Sequence, residues 1–279
     1  MSDPADSSDA RDRRVHTSDG ISLFIRRYPN RTSAVVLLAT HGLQSHHGWY
    51  DWSCRRFQTA GYEVWFADRR GCGRSAGDRG HARAAQRLVA DVNAVRDAIE
   101  RESSRPVVLV GICWSAKLML AVERSRPDRV AALLLLYPAL RTRFDASLRQ
   151  RLLLRLAGWV GLARRQIVTP LRPEHFTDSI AGQQFIAHDP DGNRVLSVAM
   201  AMADRDLRDA ADPTRCGVPI LAVLCGRDAI VRNGRVRRQL EAAGAKVLTI
   251  ESAAHVLEFE PDREAIFDRI IDELKRRLG

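Results

Sequence analysis

Apolar residues in this chain come in short runs separated by longer stretches of helical period. AVVLLAT (34–40), YEVWFAD (62–68), PVVLVGI (106–112), VAALLLLYP (130–138), VPILAVLC (218–225) and AKVLTI (245–250) are dense in β-branched and aliphatic side chains. Such runs read as strands buried on both faces. ISLFIRRY (21–28) alternates instead, as an antiparallel edge strand does. Between the runs, helical spacing covers residues 49–60, 84–101, 114–126, 232–243 and 261–278. Strand alternating with helix predicts an α/β fold, a mostly parallel sheet with helices on both faces.

The alternation breaks once. Residues 141–207 have helical patterning without a strong strand, which predicts an inserted helical cap, or lid, with residues 14–140 and 208–279 forming the core. Within the insertion Leu148, Leu152, Leu153, Leu156, Trp159, Val160 and Ala163 gather on one helical face, and Gly158 and Gly161 weaken the helix. Packing against the core is the expected use of that stripe, with Leu156 and Trp159 placed to wall a substrate pocket. Residues 1–13 are rich in Asp, Ser and Arg and lack an apolar period, so a disordered tail is expected there.

Composition narrows the class. At 279 residues and 45% hydrophobic content, with no apolar run near the roughly 20 residues that span a bilayer, no transmembrane segment is expected. The five cysteines are scattered without ligand spacing, so neither a disulfide framework nor a metal site is predicted, and a reducing cytoplasm fits. His46 and His47 read as loop structure, because no third ligand follows at suitable spacing. Net charge is +10, and residues 1–12 hold four Asp against one Arg, leaving +13 on the remainder. Such a field suits anionic partners. Nucleic acid is not expected among them, since no recognised module or basic patch interleaved with aromatics accompanies the arginines.

The chemistry concentrates at PVVLVGICWSAKLMLAVER, a strand, a tight turn and a helix, where α/β-hydrolases carry a G-x-S-x-G elbow. Here the string is Gly111-Ile112-Cys113-Trp114-Ser115. Small residues two before and two after the nucleophile let strand and helix backbones approach, which Gly111 and Ser115 satisfy and which Lys117 would not if Ser115 were central. Cys113 is therefore the candidate nucleophile, because a helix dipole and a nearby imidazolium both favour its thiolate. An inert structural cysteine is the plain alternative. Gly226-Arg227-Asp228 closes one buried strand and His255 follows the next, giving the chain order nucleophile, acid, histidine. His41-Gly42 follows an earlier strand, so the Leu43 and Trp114 amides are the expected oxyanion donors. No cofactor motif accompanies the triad.

With those residues in hand, the chain resembles the monoacylglycerol lipase and lysophospholipase branch of the α/β-hydrolases. The resemblance rests on His41-Gly42 with His46, ADRRGCGRS from Ala67, the elbow, PDRVAALLLLYPAL from Pro127, GRDAIV from Gly226 and AHVLEFE from Ala254. The elbow with Trp114 and Lys117, and the segment PLRPEHFTDS, are similar to a bacterial subgroup whose elbow reads S-W-G-G-K. Cys113 replaces the serine, and Ser115-Ala116 replaces the two glycines. Polyhydroxyalkanoate synthases and dienelactone hydrolases resemble the chain in carrying a cysteine at this point. The resemblance implies an acyl-transfer enzyme.

Three functions remain open on sequence. One is hydrolysis of an ester or thioester through an acyl-cysteine. Another is transfer of the acyl group to an alcohol, amine or thiol, and a third is a non-catalytic small-molecule binder. Residues 141–172 carry eight arginines and one acid, Asp145. That charge reads either as a solvated face without a partner or as a docking surface for coenzyme A or an acidic acyl carrier protein that carries the acyl donor.

Overall fold

A computed structural model describes residues 10–278. Its first half contains β1 (Arg11–His16), β2 (Ser22–Tyr28), β3 (Val36–Thr40), α1 (Asp51–Thr59), β4 (Glu63–Ala67), α2 (Ala85–Glu102), β5 (Val107–Ile112), α3 (Ser115–Ser125) and β6 (Val130–Leu136). An insertion follows, with α4 (Leu148–Trp159), β7 (Gln166–Val168), α5 (Ile180–His188), β8 (Val195–Ser197) and α6 (Val198–Ala210). The core then resumes with β9 (Ile220–Cys225), α7 (Asn233–Ala242), β10 (Lys246–Ile250) and α8 (Arg263–Leu278).

Eight strands form one sheet in the order β1-β2-β4-β3-β5-β6-β9-β10. The pairs β1–β2 and β2–β4 are antiparallel and the rest are parallel. Every residue of β3, β4, β5 and β9 is buried, as the unbroken apolar runs require when helices cover both faces. The carboxyl ends of β5, β9 and β10 lie along one sheet edge, where open α/β sheets collect their ligands.

Four expectations need correction. The strand expected at the sheet edge, ISLFIRRY, is paired on both sides, because β1 forms the edge. That strand begins at Arg11, inside the stretch expected as tail; residues 1–9 lie outside the described residues. In β1 only Val15 is buried, so no apolar period announces it, and its side chains are engaged in ion pairs such as Asp12 with Arg26 and Arg74. The insertion also contains a two-stranded antiparallel sheet, β7–β8, too short to register as a pattern.

The fourth departure is the Leu/Trp stripe, which points outward. No residue of α4 is buried, and Leu148 and Trp159 are 82% and 85% exposed. The helix packs on α6 through its other edge, where a Cβ on Gly158 would stand 2.9 Å from Met202 Sδ. Small residues allow the backbones to close in, and that fixes which face turns inward. Arg151, Leu154, Ala157 and Gly158 are the half-buried positions of α4. The rest of the insertion is tied to the core. Asn193 N donates to Gln44 O at 2.7 Å, Ser197 N to Gly80 O at 3.0 Å, and Val256 N to Phe176 O at 2.9 Å.

Candidate active site

Cys113 occupies the turn between β5 and α3 with φ of 53°, a left-handed conformation that a side-chain-bearing residue adopts only when its surroundings enforce it. The enforcement is visible. Cys113 N donates to Leu136 O at 2.9 Å, while Cys113 O accepts from Ala139 N at 2.9 Å and Ala116 N at 3.2 Å. Ser115 Oγ accepts from Ile112 N at 2.8 Å and donates to Thr40 O at 2.7 Å, so this hydroxyl clamps the turn. The close strand–helix approach falls one residue later than expected from sequence. A Cβ on Gly111 would lie 2.7 Å from Ala116 Cα.

Asp228 and His255 meet as their strand ends predict. His255 Nδ1 is 2.7 Å from Asp228 Oδ2, and Asp228 Oδ1 accepts from the Ile230 and Val231 amides, each at 2.8 Å. Burial alone would raise the Asp228 pKa. The charge and hydrogen bond of His255, with the two amides, hold it below the ordinary carboxylate value. For His255 burial acts to lower the pKa, but the charges of Asp228 and Cys113 outweigh it and raise the imidazole to about 10. His255 Nε2 is buried without a hydrogen bond, beside the Cys113 side chain.

On the other side of Cys113 lies the loop after β3. A Cβ on Gly42 would stand 3.2 Å from Cys113 Cβ and 3.4 Å from its Sγ, so only glycine leaves room for a substrate atom there. Neither the Leu43 nor the Trp114 amide donates a hydrogen bond among the described residues. Arg69, which sequence reasoning passed over inside ADRRG, anchors this loop. Its Nη2 donates to Gly42 O at 2.8 Å and Leu43 O at 3.1 Å, and its guanidinium sits 4.6 Å from the Trp114 ring centroid. His41 completes the anchor, with Nδ1 donating to Gly42 O at 2.9 Å and Nε2 accepting from Arg69 N at 3.0 Å. Burial and the Arg69 charge keep His41 neutral, well below the usual histidine pKa.

A cavity of about 180 Å³ opens on Cys113, Leu43 and Trp114. Its walls come from both the core and the insertion, including Phe144, Leu154, Leu171 and Met200. Leu156 and Trp159, expected as pocket residues, do not line it and face solvent. The inward position one turn earlier, Leu154, takes that place. His255 is fully buried and borders the thiol instead of the cavity. Sequence also missed Asp204, which accepts from Trp114 Nε1 at 2.6 Å and pairs with Lys117, and Glu258, which accepts from Ser53 Oγ at 2.8 Å and Tyr137 OH at 3.0 Å. Burial drives Glu258 up to about 7 against those two hydrogen bonds. Tyr137 in turn packs edge-on to His255, with ring centroids 4.9 Å apart.

His46 and His47 do have a third neighbour, contrary to the spacing argument, since Asp68 brings its oxygens within 4.8 Å of their ring nitrogens. Hydrogen bonds account for the group. His47 Nδ1 is 2.8 Å from Asp68 Oδ2, His46 Nε2 is 3.0 Å from Asp189 Oδ2, and His46 Nδ1 accepts from Gly48 N at 3.1 Å. The network pins the loop after β3 to the insertion.

Sheet order, a strained turn after β5 and an acid and histidine after β9 and β10 define an α/β-hydrolase fold. The chain belongs to the Hydrolase_4 family, described as serine aminopeptidase, S33, which matches residues 30–262. It is 30% identical over 106 residues to phospholipase YtpA of Bacillus subtilis, covering 38% of this chain and 40% of that protein. Over 112 residues it is 30% identical to monoacylglycerol lipase of Mycolicibacterium smegmatis, covering 40% of each. The matches thus span about 40% of the length of these curated relatives. Among solved structures it is similar to the monoacylglycerol lipase of Paleococcus ferrophilus, with a TM-score of 0.81, 21% identity, and coverage of 91% of this chain and 99% of that one.

Proposed function

We propose that this protein is an acyl-transfer enzyme of the α/β-hydrolase fold that works through a Cys113-His255-Asp228 triad and most readily hydrolyses an ester or thioester. The observation that carries the reading is the state of His255. One ring nitrogen is held by Asp228 at 2.7 Å, and the other is buried beside Cys113, whose charge helps raise the imidazole. The thiolate attacks the acyl carbonyl carbon, and the carbonyl oxygen takes the electron pair and rests on the Leu43 and Trp114 amides. When the bond to the leaving group breaks, the His255 imidazolium gives that group its proton. Water then attacks the acyl-cysteine, His255 Nε2 takes one of its protons, and the acid departs as the thiolate and imidazolium are restored.

The donor is a thioester on coenzyme A or an acidic acyl carrier protein. Thioester-to-thiolate exchange is nearly thermoneutral, which suits a cysteine. The outward face of α4 supplies a docking surface, with exposed Leu148, Leu152 and Trp159 beside exposed Arg149 and Arg155. An acceptor other than water would turn the same acyl-cysteine into a transferase intermediate.

Alkylation by iodoacetamide tests the triad. Cys113 is expected to label at pH 6 and to lose that reactivity in His255→Gln, as mapped by peptide mass. Labelling only above pH 8, and unchanged by His255→Gln, would identify an inert structural cysteine.

A further inference from the structure

We propose that the cavity beside Cys113 binds an anionic group of the substrate, a carboxylate or a phosphate, on Arg208 and Arg151. The inference deepens the proposed function by naming a substrate class, and it rests on Cys113 being the acyl-accepting group. Four basic side chains, Lys117, Arg151, Arg205 and Arg208, line the cavity against two carboxylates, Asp145 and Asp204. Asp204 is already shared among Lys117, Trp114 Nε1 at 2.6 Å and Arg208 Nη2 at 3.1 Å. Asp145 accepts from Thr142 Oγ1 at 2.7 Å and forms a longer ion pair with Arg208 Nη1, at 3.6 Å and without a hydrogen bond.

Arg208 is therefore left incomplete. The residue is only 7% exposed, yet its Nε and Nη1 are buried with no hydrogen bond. Buried donors without partners carry a desolvation penalty, so an arrangement of this kind persists where a ligand satisfies them. Arg151 points the same way. Its side chain makes one hydrogen bond, Nε to Ala146 O at 2.8 Å, and has no ion pair among the described residues. Arg205 differs, being paired with Asp206 at 2.9 Å. The Arg151 Nη groups, which no hydrogen bond or ion pair takes up among the described residues, match the oxygens of a carboxylate or phosphate, and Arg208, between Asp204 and Asp145, adds a second guanidinium whose Nε and Nη1 lack hydrogen bonds. The remaining walls are apolar, including Leu154, Leu196, Met200 and Ile230. The fitting substrate is amphiphilic, with an apolar stem between the reacting carbonyl and its charged end. Asp204 ties this subsite to the nucleophile turn, since it holds both Arg208 and the Trp114 indole.

Three thioesters separate the sources of charge, with Cys113 acylation followed by intact mass. Glutaryl-N-acetylcysteamine carries a carboxylate on the acyl group, and its methyl ester is neutral. The methyl glutaryl group on phosphopantetheine carries a phosphate on the leaving group. At least one anionic donor is expected to outpace the neutral one by about tenfold or more, the worth of a charge-assisted hydrogen bond. A fast glutaryl donor places the charge on the acyl group, and a fast phosphopantetheine donor places it on the carrier arm. Arg208→Gln and, at a half-buried site less exposed to misfolding, Arg151→Gln should each cut that ratio to about threefold or less. Calorimetry with glutarate, inorganic phosphate and pentane-1,5-diol reads the subsite without the chemistry. Binding of an anion but not the diol, weakened in Arg151→Gln, supports the subsite even if no donor acylates Cys113, a result that would remove only the triad reading. Equal rates for all three donors with no anion binding, or an anion preference untouched by both substitutions, would overturn the proposal.

Discussion

Asp228 accepts two main-chain amides on one oxygen and His255 on the other, so Asp228→Asn keeps the loop but turns an amide toward the imidazole. The imidazole is then driven into the wrong tautomer, and acylation is expected to fall by about 10⁴, as in a serine triad altered in the same way. Single-turnover acylation measures it; a loss under tenfold would mean that another carboxylate supports His255. Glu258 yields a second prediction. Its folded pKa, about 7, lies above its ordinary value of 4.5, so its contribution to stability is complete below about pH 4.5 and is lost as pH rises through 7. Glu258→Gln should therefore gain on the wild type, by a few degrees in melting temperature, on going from pH 5 to pH 8. A constant difference across that range would contradict the burial of an ionisable carboxyl. The members of the proposed triad could be picked out in the sequence because each stands at a strand end with its own local string. Asp204 and Glu258 could not, because partners of theirs are remote; Asp204 meets Trp114 from ninety positions away, and Arg208 reaches the site through Asp204. Nothing near them in sequence signals that meeting.

Helix α4 shows why apolar spacing alone can mislead. Its large residues suggested a buried stripe, but the small Ala157–Gly158 edge lets α6 approach and turns the leucines to solvent. With Trp159 85% exposed, Trp159→Ala should change the free energy of unfolding by less than about 0.5 kcal/mol, while Leu154→Ala, which lines the cavity, should alter preference among acyl chain lengths. Chemical denaturation and a chain-length series of N-acetylcysteamine thioesters check the pair. If Trp159→Ala shifted chain preference and Leu154→Ala did not, the helix would face the other way. The inner parallel strands β3, β5, β6 and β9 were legible because burial on both faces leaves them almost wholly apolar, whereas β10, also expected to be buried on both faces, is an edge strand with only Ile250 buried. Strand β1 was hidden by its edge position, where only Val15 turns inward and arginines and Asp12 fill the rest.

At the scale of the whole molecule, much of the surplus positive charge lies in the first half of the insertion, with Arg141, Arg143, Arg149, Arg151, Arg155, Arg164, Arg165 and Arg172 against Asp145 within residues 141–172. Acylation by an acidic carrier thioester should therefore slow as salt rises past the point where screening reaches about 8 Å, and should slow further in Arg149→Glu with Arg155→Glu. A rate indifferent to both would make the charge a solvated surface without a carrier partner. Whether Cys113 receives the acyl group is read by intact-mass spectrometry after incubation with acyl thioesters. A mass increase of one acyl group is expected that maps to Cys113, forms in the wild type and disappears on standing in water, and is absent in Cys113→Ala, which stays folded. Turnover that persists in Cys113→Ala, or an adduct that maps elsewhere, would contradict that role for Cys113.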